Sequence, residues 1–223
     1  MQVLDFGYLN LVETYGSDER IIEAARMSTS GSFRGWDQDE RLLRYLWEHK
    51  HHTPFEMGGV VIEVQCPIFV AREWFRHRTQ SYNELSARYV ALPDMFYVPS
   101  IERLMAGKQA QKNKQGSEEG FSEDEAHFIR NRIESQTQEA RIEYESLLKL
   151  GLSRELARLV IPVNQYTRFR ASANLRNWLG FLTLRLDKGA QWEIRQYAEA
   201  MATLVREHFP KTMELFDADT KTA

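Results

Sequence analysis

Residues 59–66 alternate between two sets of side chains, and this alternation limits the possible folds more than any other feature. Apolar side chains occupy every second position: Val60, Ile62, Val64 and Cys66. Successive side chains of a strand point to opposite faces of its sheet, so the pattern predicts a half-buried strand. Pro67 is expected to end this strand.

Most of the remaining chain has apolar residues at three- and four-residue spacing, which predicts helices. In the first half of the chain we expect helices over 18–29, from an Asp37–Glu40 capping box to about 49, and over 68–77. In the second half, a long helix is expected from a Ser122–Glu125 capping box to Gly151 and a short one from Ser153 to before Pro162. Two more are expected from Asn174 onward and through 194–205 to before Pro210. The polar segment 105–122 has no periodicity and predicts a mobile surface loop. The chain therefore reads as helix-rich with a few strands.

Composition excludes several classes of protein. The length of 223 residues suits one large domain or two small ones. The net charge of −3 argues against an overall positive electrostatic field that would attract nucleic acid. A single cysteine excludes a disulfide framework and an all-cysteine zinc site. The first residues do not resemble a signal peptide, and no run of 18 apolar residues is present. We expect a cytoplasmic protein, or one in the cytoplasm of a host.

The densest polar stretch is 72–89, REWFRHRTQSYNELSARY, in which arginines alternate with aromatic residues. Arginine forks and nearby hydroxyls are the groups that bind phosphate or pyrophosphate. A solvated basic helix face is an equally simple interpretation. Stacking of single-stranded nucleic acid on the aromatic residues is a further alternative, which the net charge disfavours.

Two other stretches carry groups that could take part in chemistry. Three histidines in residues 49–52 suggest metal binding, but no second ligand pair has zinc-like spacing, and cations in the last turn of a helix are common. Four arginines lie among the apolar residues of 164–185, where such side chains usually snorkel or pair. No dinucleotide-binding glycine motif, P-loop, HExxH or GxSxG motif is present.

Taken in order, these segments match a known family. RHRTQSYNELSARY resembles the signature of the flavin-dependent thymidylate synthases, RHR followed after seven residues by Ser, here Arg76-His77-Arg78 and Ser86. The flanking segments HHTPFE, ARLVIP, NLRNWLGFLTLR and AQWEIRQYA agree as well. The resemblance extends from about Leu4 to Phe216 and leaves only the 105–122 loop in doubt.

The resemblance implies a fold and an activity. It implies one α+β domain over 1–223, with helices around an antiparallel sheet, and a homotetramer whose active sites are shared between subunits. It implies FAD as cofactor, NADPH as reductant and methylene-tetrahydrofolate as carbon donor in the conversion of dUMP to dTMP. The chain is expected to bind its substrates and further copies of itself. It is not expected to bind nucleic acid or membranes.

The resemblance also implies the roles of individual residues. FAD contacts are expected from Thr53, Arg76, His77, Arg78, Glu84, Asn174, Leu175, Arg176 and Gly180, with His51 near the flavin and folate. Contacts with dUMP are expected from Glu73, Arg76, Glu84, Ser86, Ala87, Arg88, Arg158 and Arg185. Gly180 replaces an Asn of some relatives, and Gly189 replaces a His of many. No metal is expected.

The physical chemistry of the substrate agrees with these roles. The phosphate of dUMP is a dianion that needs at least two cations and hydroxyl or amide donors. Ser86 and Arg88, together with Arg158 and Arg76, supply them. Arg185 is the candidate catalytic residue: it cannot act as a base, but it can stabilise negative charge on the pyrimidine ring. Cys66 is expected to be a buried hydrophobe rather than a nucleophile. A related enzyme that acts on UMP or dCMP is an alternative.

Overall fold

A five-stranded antiparallel sheet lies at the centre of this computed structural model, which describes residues 1–29, 31–109, 117–118 and 120–222. The strands are β1 (Gln2–Val3), β2 (Gly7–Tyr15), β3 (Gly59–Pro67), β4 (Ser81–Glu84), β5 (Lys108–Gln109), β6 (Ser117–Glu118) and β7 (Tyr166–Asn174). The order in the main sheet is β1-β2-β3-β7-β4, and β5 pairs with β6 separately. This confirms the predicted α+β class.

Helices surround the sheet. They are α1 (Asp18–Arg26), α2 (Trp36–Glu48), α3 (Ile68–Trp74), α4 (Ile101–Met105), α5 (Glu123–Lys149), α6 (Arg154–Ala157), α7 (Leu175–Arg185), α8 (Trp192–His208) and α9 (Pro210–Thr222). Short 3-10 turns cover Met27–Thr29, Thr53–Glu56 and Arg158–Val160.

One face of the sheet forms the core. Val60, Ile62, Val64 and Cys66 of β3 are fully buried, which confirms the predicted alternation. Hydrogen bonds from two covering helices reach β3: the Trp178 indole donates to the Val60 carbonyl at 3.0 Å, and the Tyr197 hydroxyl donates to the Gln65 carbonyl at 2.8 Å. Each aliphatic side chain buried here contributes about 1.5–3 kcal/mol. The core extends along the chain from Val3 to Phe216, which supports our proposal of a single domain over 1–223.

Several predicted helix ends are confirmed. Ser17 caps α1, a reciprocal Ser122–Glu125 capping box starts α5, and Gly151 follows α5 with a φ of 86°. The predicted Asp37–Glu40 capping box is wrong. Helix α2 begins at Trp36, its N-cap is Gly35, and the neighbouring Asp39 instead pairs with Arg26 of α1.

Other boundaries also differ from the prediction. Helix α1 ends at Arg26 rather than near residue 29, and α3 ends at Trp74 rather than at 77. Strand β7 and helix α9 were not predicted. Helix α9 begins directly at Pro210, where the buried Asp18 carboxylate accepts hydrogen bonds from the backbone N–H groups of Lys211 at 2.7 Å and Thr212 at 3.1 Å.

The predicted mobile loop at 105–122 is partly replaced by secondary structure. Helix α4 includes Met105, and β5 pairs with β6 through Lys108–Glu118 and Gln109–Ser117. The rest of the prediction concerns residues 110–116 and 119, which lie outside the described residues.

Candidate active site

The turn between α3 and β4 carries the RHR motif. Tyr82 of β4 fixes this turn, because its hydroxyl lies 2.8 Å from the carbonyl oxygen of His77 and 3.2 Å from that of Trp74. Arg76 and Arg78 point away from the core and are exposed. Within the described ranges, neither guanidinium has a hydrogen-bond or ion-pair partner. Two cations are thus available to a ligand without breaking any contact seen here.

His77, between these two arginines, points inward to Arg185 at the end of α7. The Arg185 Nε–H donates to His77 Nε2 at 2.8 Å. The Phe181 ring lies edge-on to the imidazole, with centroids 4.9 Å apart. Burial and the Arg185 charge lower the pKa of His77 to about 4. The imidazole is therefore neutral near pH 7.

Glu73 of α3 holds the other side of Arg185. Its carboxylate forms an ion pair with the Arg185 Nη1 group, and its backbone carbonyl oxygen lies 3.5 Å from Nη2. Both side chains are largely covered, with 17% of Arg185 and 23% of Glu73 exposed. Burial raises the pKa of Glu73, an effect that the Arg185 charge opposes. Three predicted site residues, Glu73, His77 and Arg185, therefore form one cluster.

Three neighbouring cavities extend from this cluster, and the exposed edge of α7 lines two of them. The first has about 470 Å³ and contains His51 and Thr53, the second about 410 Å³ with Arg176 and Gly180, and the third about 810 Å³ with Glu73 and Arg185. Neighbouring cavities share a lining residue, His52 between the first two and Thr183 between the last two. We call these three neighbouring cavities together the α7 trough.

The start of α7 borders the second cavity of the trough. Asn174 is the N-cap, and its side-chain oxygen accepts from the Asn177 backbone N–H at 3.0 Å. Arg176 forms an ion pair with Glu56 of the HHTPFE segment. The Leu175 side chain is fully buried in the core, so it does not line the trough.

Four predicted residues line a separate cavity of about 360 Å³ at the end of β4: Glu84, Ser86, Ala87 and Arg158. The Glu84 carboxylate accepts from the Thr167 hydroxyl at 2.6 Å. The exposed Arg88 lies beside this cavity and pairs with Glu155 at 3.1 Å. We call it the Ser86 cavity. It shares no lining residue with the α7 trough.

Some residues of the trough were not predicted from the sequence. Trp47 of α2 and Phe216 of α9 are walls of the second cavity, and Gln191 lines the third. Thr183 could have been found, because 176, 180 and 183 have the spacing of one helix face. Phe216 had no such signal, since its helix was not predicted and lies far from the other lining residues in sequence.

The remaining predictions concern Cys66, metals and membranes. Cys66 is fully buried, and burial raises its pKa well above the usual range, so it is not a ready nucleophile. In the part of the chain that the structure covers, no three His, Cys, Asp or Glu residues are grouped as a metal site. None of the described helices has the length and apolar character needed to cross a membrane.

The chain is similar to one protein family and to several known proteins. Residues 10–211 match the family model described as "Thymidylate synthase complementing protein". A flavin-dependent thymidylate synthase from Thermus thermophilus is 45% identical over 215 residues, covering 96% of this chain and 77% of the relative. The one from Thermosipho melanesiensis is 43% identical, covering 96% of this chain and 92% of the relative.

Solved structures agree with the sequence relatives. A UMP/dUMP methylase PolB from Streptomyces cacaoi, bound with 5-Br dUMP, superposes with a TM-score of 0.88 at 33% identity, covering 98% of this chain and 97% of that one. The same methylase bound with 5-Br UMP gives a TM-score of 0.87 at 34% identity, covering 97% and 96%. Family model, relatives and fold lead to the same assignment: the chain belongs to the flavin-dependent thymidylate synthases.

Proposed function

We propose that this enzyme catalyses the FAD-dependent reductive methylation of dUMP to dTMP, with methylene-tetrahydrofolate as carbon donor and NADPH as reductant. The observation that carries the proposal is the position of Arg185, which is anchored by other protein groups and faces a cavity, in a member of this family. Protein groups anchor its guanidinium on one side, while the same residue lines the largest cavity of the α7 trough. A fixed cation facing a cavity suits a reaction that builds negative charge on a ring.

The residues present fit a flavin with a pyrophosphate. Arg76 and Arg78 offer two guanidinium groups that have no described partner, and bidentate arginine contacts suit phosphate oxygens. At Gly180 a Cβ atom would meet nothing within 4 Å, so the trough has free space beside α7. We propose that Thr53, His51, Asn174 and Arg176 complete this binding surface. The bound flavin supplies the hydride chemistry.

We propose that the nucleotide phosphate binds in the Ser86 cavity. Arg88 and Arg158 both contact Glu155, through its carboxylate at 3.1 Å and its backbone carbonyl at 3.3 Å respectively. Both guanidinium groups thus contact the same residue, and we propose that they and the Ser86 hydroxyl together bind a phosphate dianion. Glu84 and Ala87 line the same cavity and are proposed to contact the nucleotide.

The separation of the two cavities supports composite active sites. In the described part of the chain, Ser86 and Arg158 line one of these cavities and Arg185 lines another, although one dUMP molecule is proposed to contact all three. A second copy that brings its Ser86 cavity to this α7 trough would complete the site. We therefore propose a homotetramer with shared sites. Light scattering of a flavin-loaded, active monomer would contradict this proposal.

Arg185 is proposed to be the catalytic residue at the pyrimidine. Arginine does not lose its proton at ordinary pH, so it acts electrostatically rather than as a base. Removing a donor of this type typically slows turnover about 100-fold or more. Lysine keeps the charge but lacks the planar fork that reaches both His77 and Glu73.

The experiment compares Arg185→Lys with Arg20→Lys in the FAD-loaded enzyme. Arg20 has a 66% exposed side chain on α1 and serves as a control for the general effect of this substitution. We expect Arg185→Lys to retain FAD and to lose dTMP formation about 100-fold, and Arg20→Lys to behave as the unmodified chain does. Near-normal turnover by Arg185→Lys would refute the proposed role.

A second candidate function is methylation of UMP as well as dUMP. The observation that favours it is the 0.88 TM-score to a protein described as a UMP/dUMP methylase. Turnover of dUMP, UMP and dCMP by the same reduced enzyme distinguishes the candidates. We expect dUMP to be preferred, because the sequence relatives are thymidylate synthases.

A further inference from the structure

The contact between Arg185 and His77 determines where the imidazole carries its proton. A guanidinium offers N–H donors and has no acceptor. Since the Arg185 Nε–H donates to His77 Nε2 at 2.8 Å, that nitrogen must present its lone pair. The proton of the neutral ring therefore resides on Nδ1.

The same contacts leave part of Arg185 free. A guanidinium has five N–H groups. One reaches His77 Nε2, one reaches the Glu73 carboxylate, and one points to the Glu73 carbonyl oxygen at 3.5 Å. The two remaining N–H groups have no described acceptor and are available to a ligand in the third cavity of the trough.

The partners of Arg185 are themselves held in place. The His77 backbone carbonyl lies 2.8 Å from the Tyr82 hydroxyl, and Phe181 packs against the His77 ring. Glu73 belongs to α3, whose next residue is the fully buried Trp74. Neither partner has the freedom of a surface side chain, so together they restrict the orientation of the guanidinium.

We propose that Glu73 and His77 are positioning residues for Arg185, and that Arg185 in turn holds His77 as the neutral Nδ1–H tautomer. Glu73 thereby acts through Arg185 rather than as a direct ligand of the nucleotide. His77 offers a ligand one neutral donor and no charge, so the anionic part of a ligand is balanced by Arg76 and Arg78. The kinetic consequences rest on the proposed function, whereas the tautomer does not.

The tautomer is tested by nitrogen NMR of the FAD-loaded enzyme with ¹⁵N-labelled histidine at pH 7. The chain has 6 histidines, and loss of one ring signal in His77→Gln assigns His77. We expect a protonated Nδ1 and an unprotonated Nε2. An Nε2–H tautomer or an imidazolium at this pH would overturn the proposal, whether or not the enzyme is active.

The positioning role is tested by Glu73→Gln, with Glu145→Gln as control. Glu145 also pairs with an arginine, Arg141 at 2.7 Å, but lies on α5 away from the trough. A positioning role predicts that Glu73→Gln keeps its FAD and lowers kcat about 10-fold with an unchanged KM for dUMP, since the neutral amide loses the charge-assisted contact with Arg185. Glu145→Gln should match the unmodified enzyme.

Other results would overturn the positioning role. A KM for dUMP that rises by at least the factor by which kcat falls would make Glu73 a nucleotide ligand, and unchanged kinetics would remove it from the site. If Glu73→Gln does not fold, the same kinetic comparison is made with Glu73→Asp, which keeps the charge but draws it back from Arg185, and unchanged kinetics there would also overturn the positioning role. Full activity of Arg185→Lys would refute the proposed role of Arg185 and leave the tautomer assignment standing.

Discussion

Arg78→Ala should weaken FAD binding without destabilising the protein. The Arg78 side chain is exposed and has no ion-pair or hydrogen-bond partner in the described part of the chain, so its loss should change the free energy of unfolding by no more than about 0.5 kcal/mol. A charge-assisted, bidentate contact with pyrophosphate contributes about 1.5–3 kcal/mol. Because about 1.4 kcal/mol corresponds to a factor of ten, the Kd for FAD should rise about 10- to 150-fold.

The assay is a fluorescence titration of FAD into apoprotein, together with urea unfolding of the same samples. Arg72→Ala is the matched control, because Arg72 is another exposed arginine of the same region, six residues earlier and outside the RHR motif. Arg72→Ala should bind FAD as the unmodified chain does. An unchanged Kd in Arg78→Ala, or an equal loss in Arg72→Ala, would refute a specific pyrophosphate contact at Arg78.

Three further predictions concern stability and cofactor affinity. Gly180→Ala should raise the free energy of unfolding by about 0.5–1 kcal/mol through helix propensity. Gly180→Asn should in addition tighten FAD binding, because the new amide enters open space beside the trough. Equal FAD affinities of Gly180→Asn and the unmodified chain in titrations would contradict this. Cys66→Ala should cost about 1 kcal/mol of lost packing and keep most dTMP formation; a folded, FAD-loaded variant without turnover would show that the thiol is needed. The folded pKa of His77, about 4, lies below its unfolded value near 6.5, so the unfolded state binds more protons between these values and stability is lost as the pH falls through this window. Discounted for partial exposure of the ring, this loss in the free energy of unfolding should be about 1–2 kcal/mol. Urea unfolding at several pH values should show it in the unmodified chain, and His77→Gln should lack this contribution. Equal pH dependence of the two proteins would refute the shift.

Local signals in the sequence were sufficient for several elements. The alternation over 59–66 predicted β3 because one face of that strand is fully buried, and the Ser122–Glu125 pair predicted the start of α5 because a capping box needs only four consecutive residues. The RHR motif and its flanks were also sufficient for the family, which the comparisons confirm. These features are encoded by neighbouring residues, so they can be read without the fold.

Strand β7 was missed although it carries an alternating pattern. Its buried face is Phe169, Ala171 and Ala173, and alanine has little preference for strands, while the arginines between them suggested other roles. Pairing with β3 on one side and β4 on the other determines this strand. Sheet partners from distant parts of the chain therefore decided what local propensity did not.

Helix α9 and the state of His77 depended on tertiary contacts. Asp18 satisfies the backbone N–H groups of Lys211 and Thr212, more than 190 residues away in sequence, and so lets α9 follow α8 directly at Pro210. His77 and Arg185 are separated by 108 residues, and their contact sets the tautomer of the imidazole. The sequence by itself determined which charged groups the site contains. Their burial, pairing and protonation were decided by the tertiary structure, because desolvation and hydrogen-bond geometry depend on neighbours in space rather than along the chain.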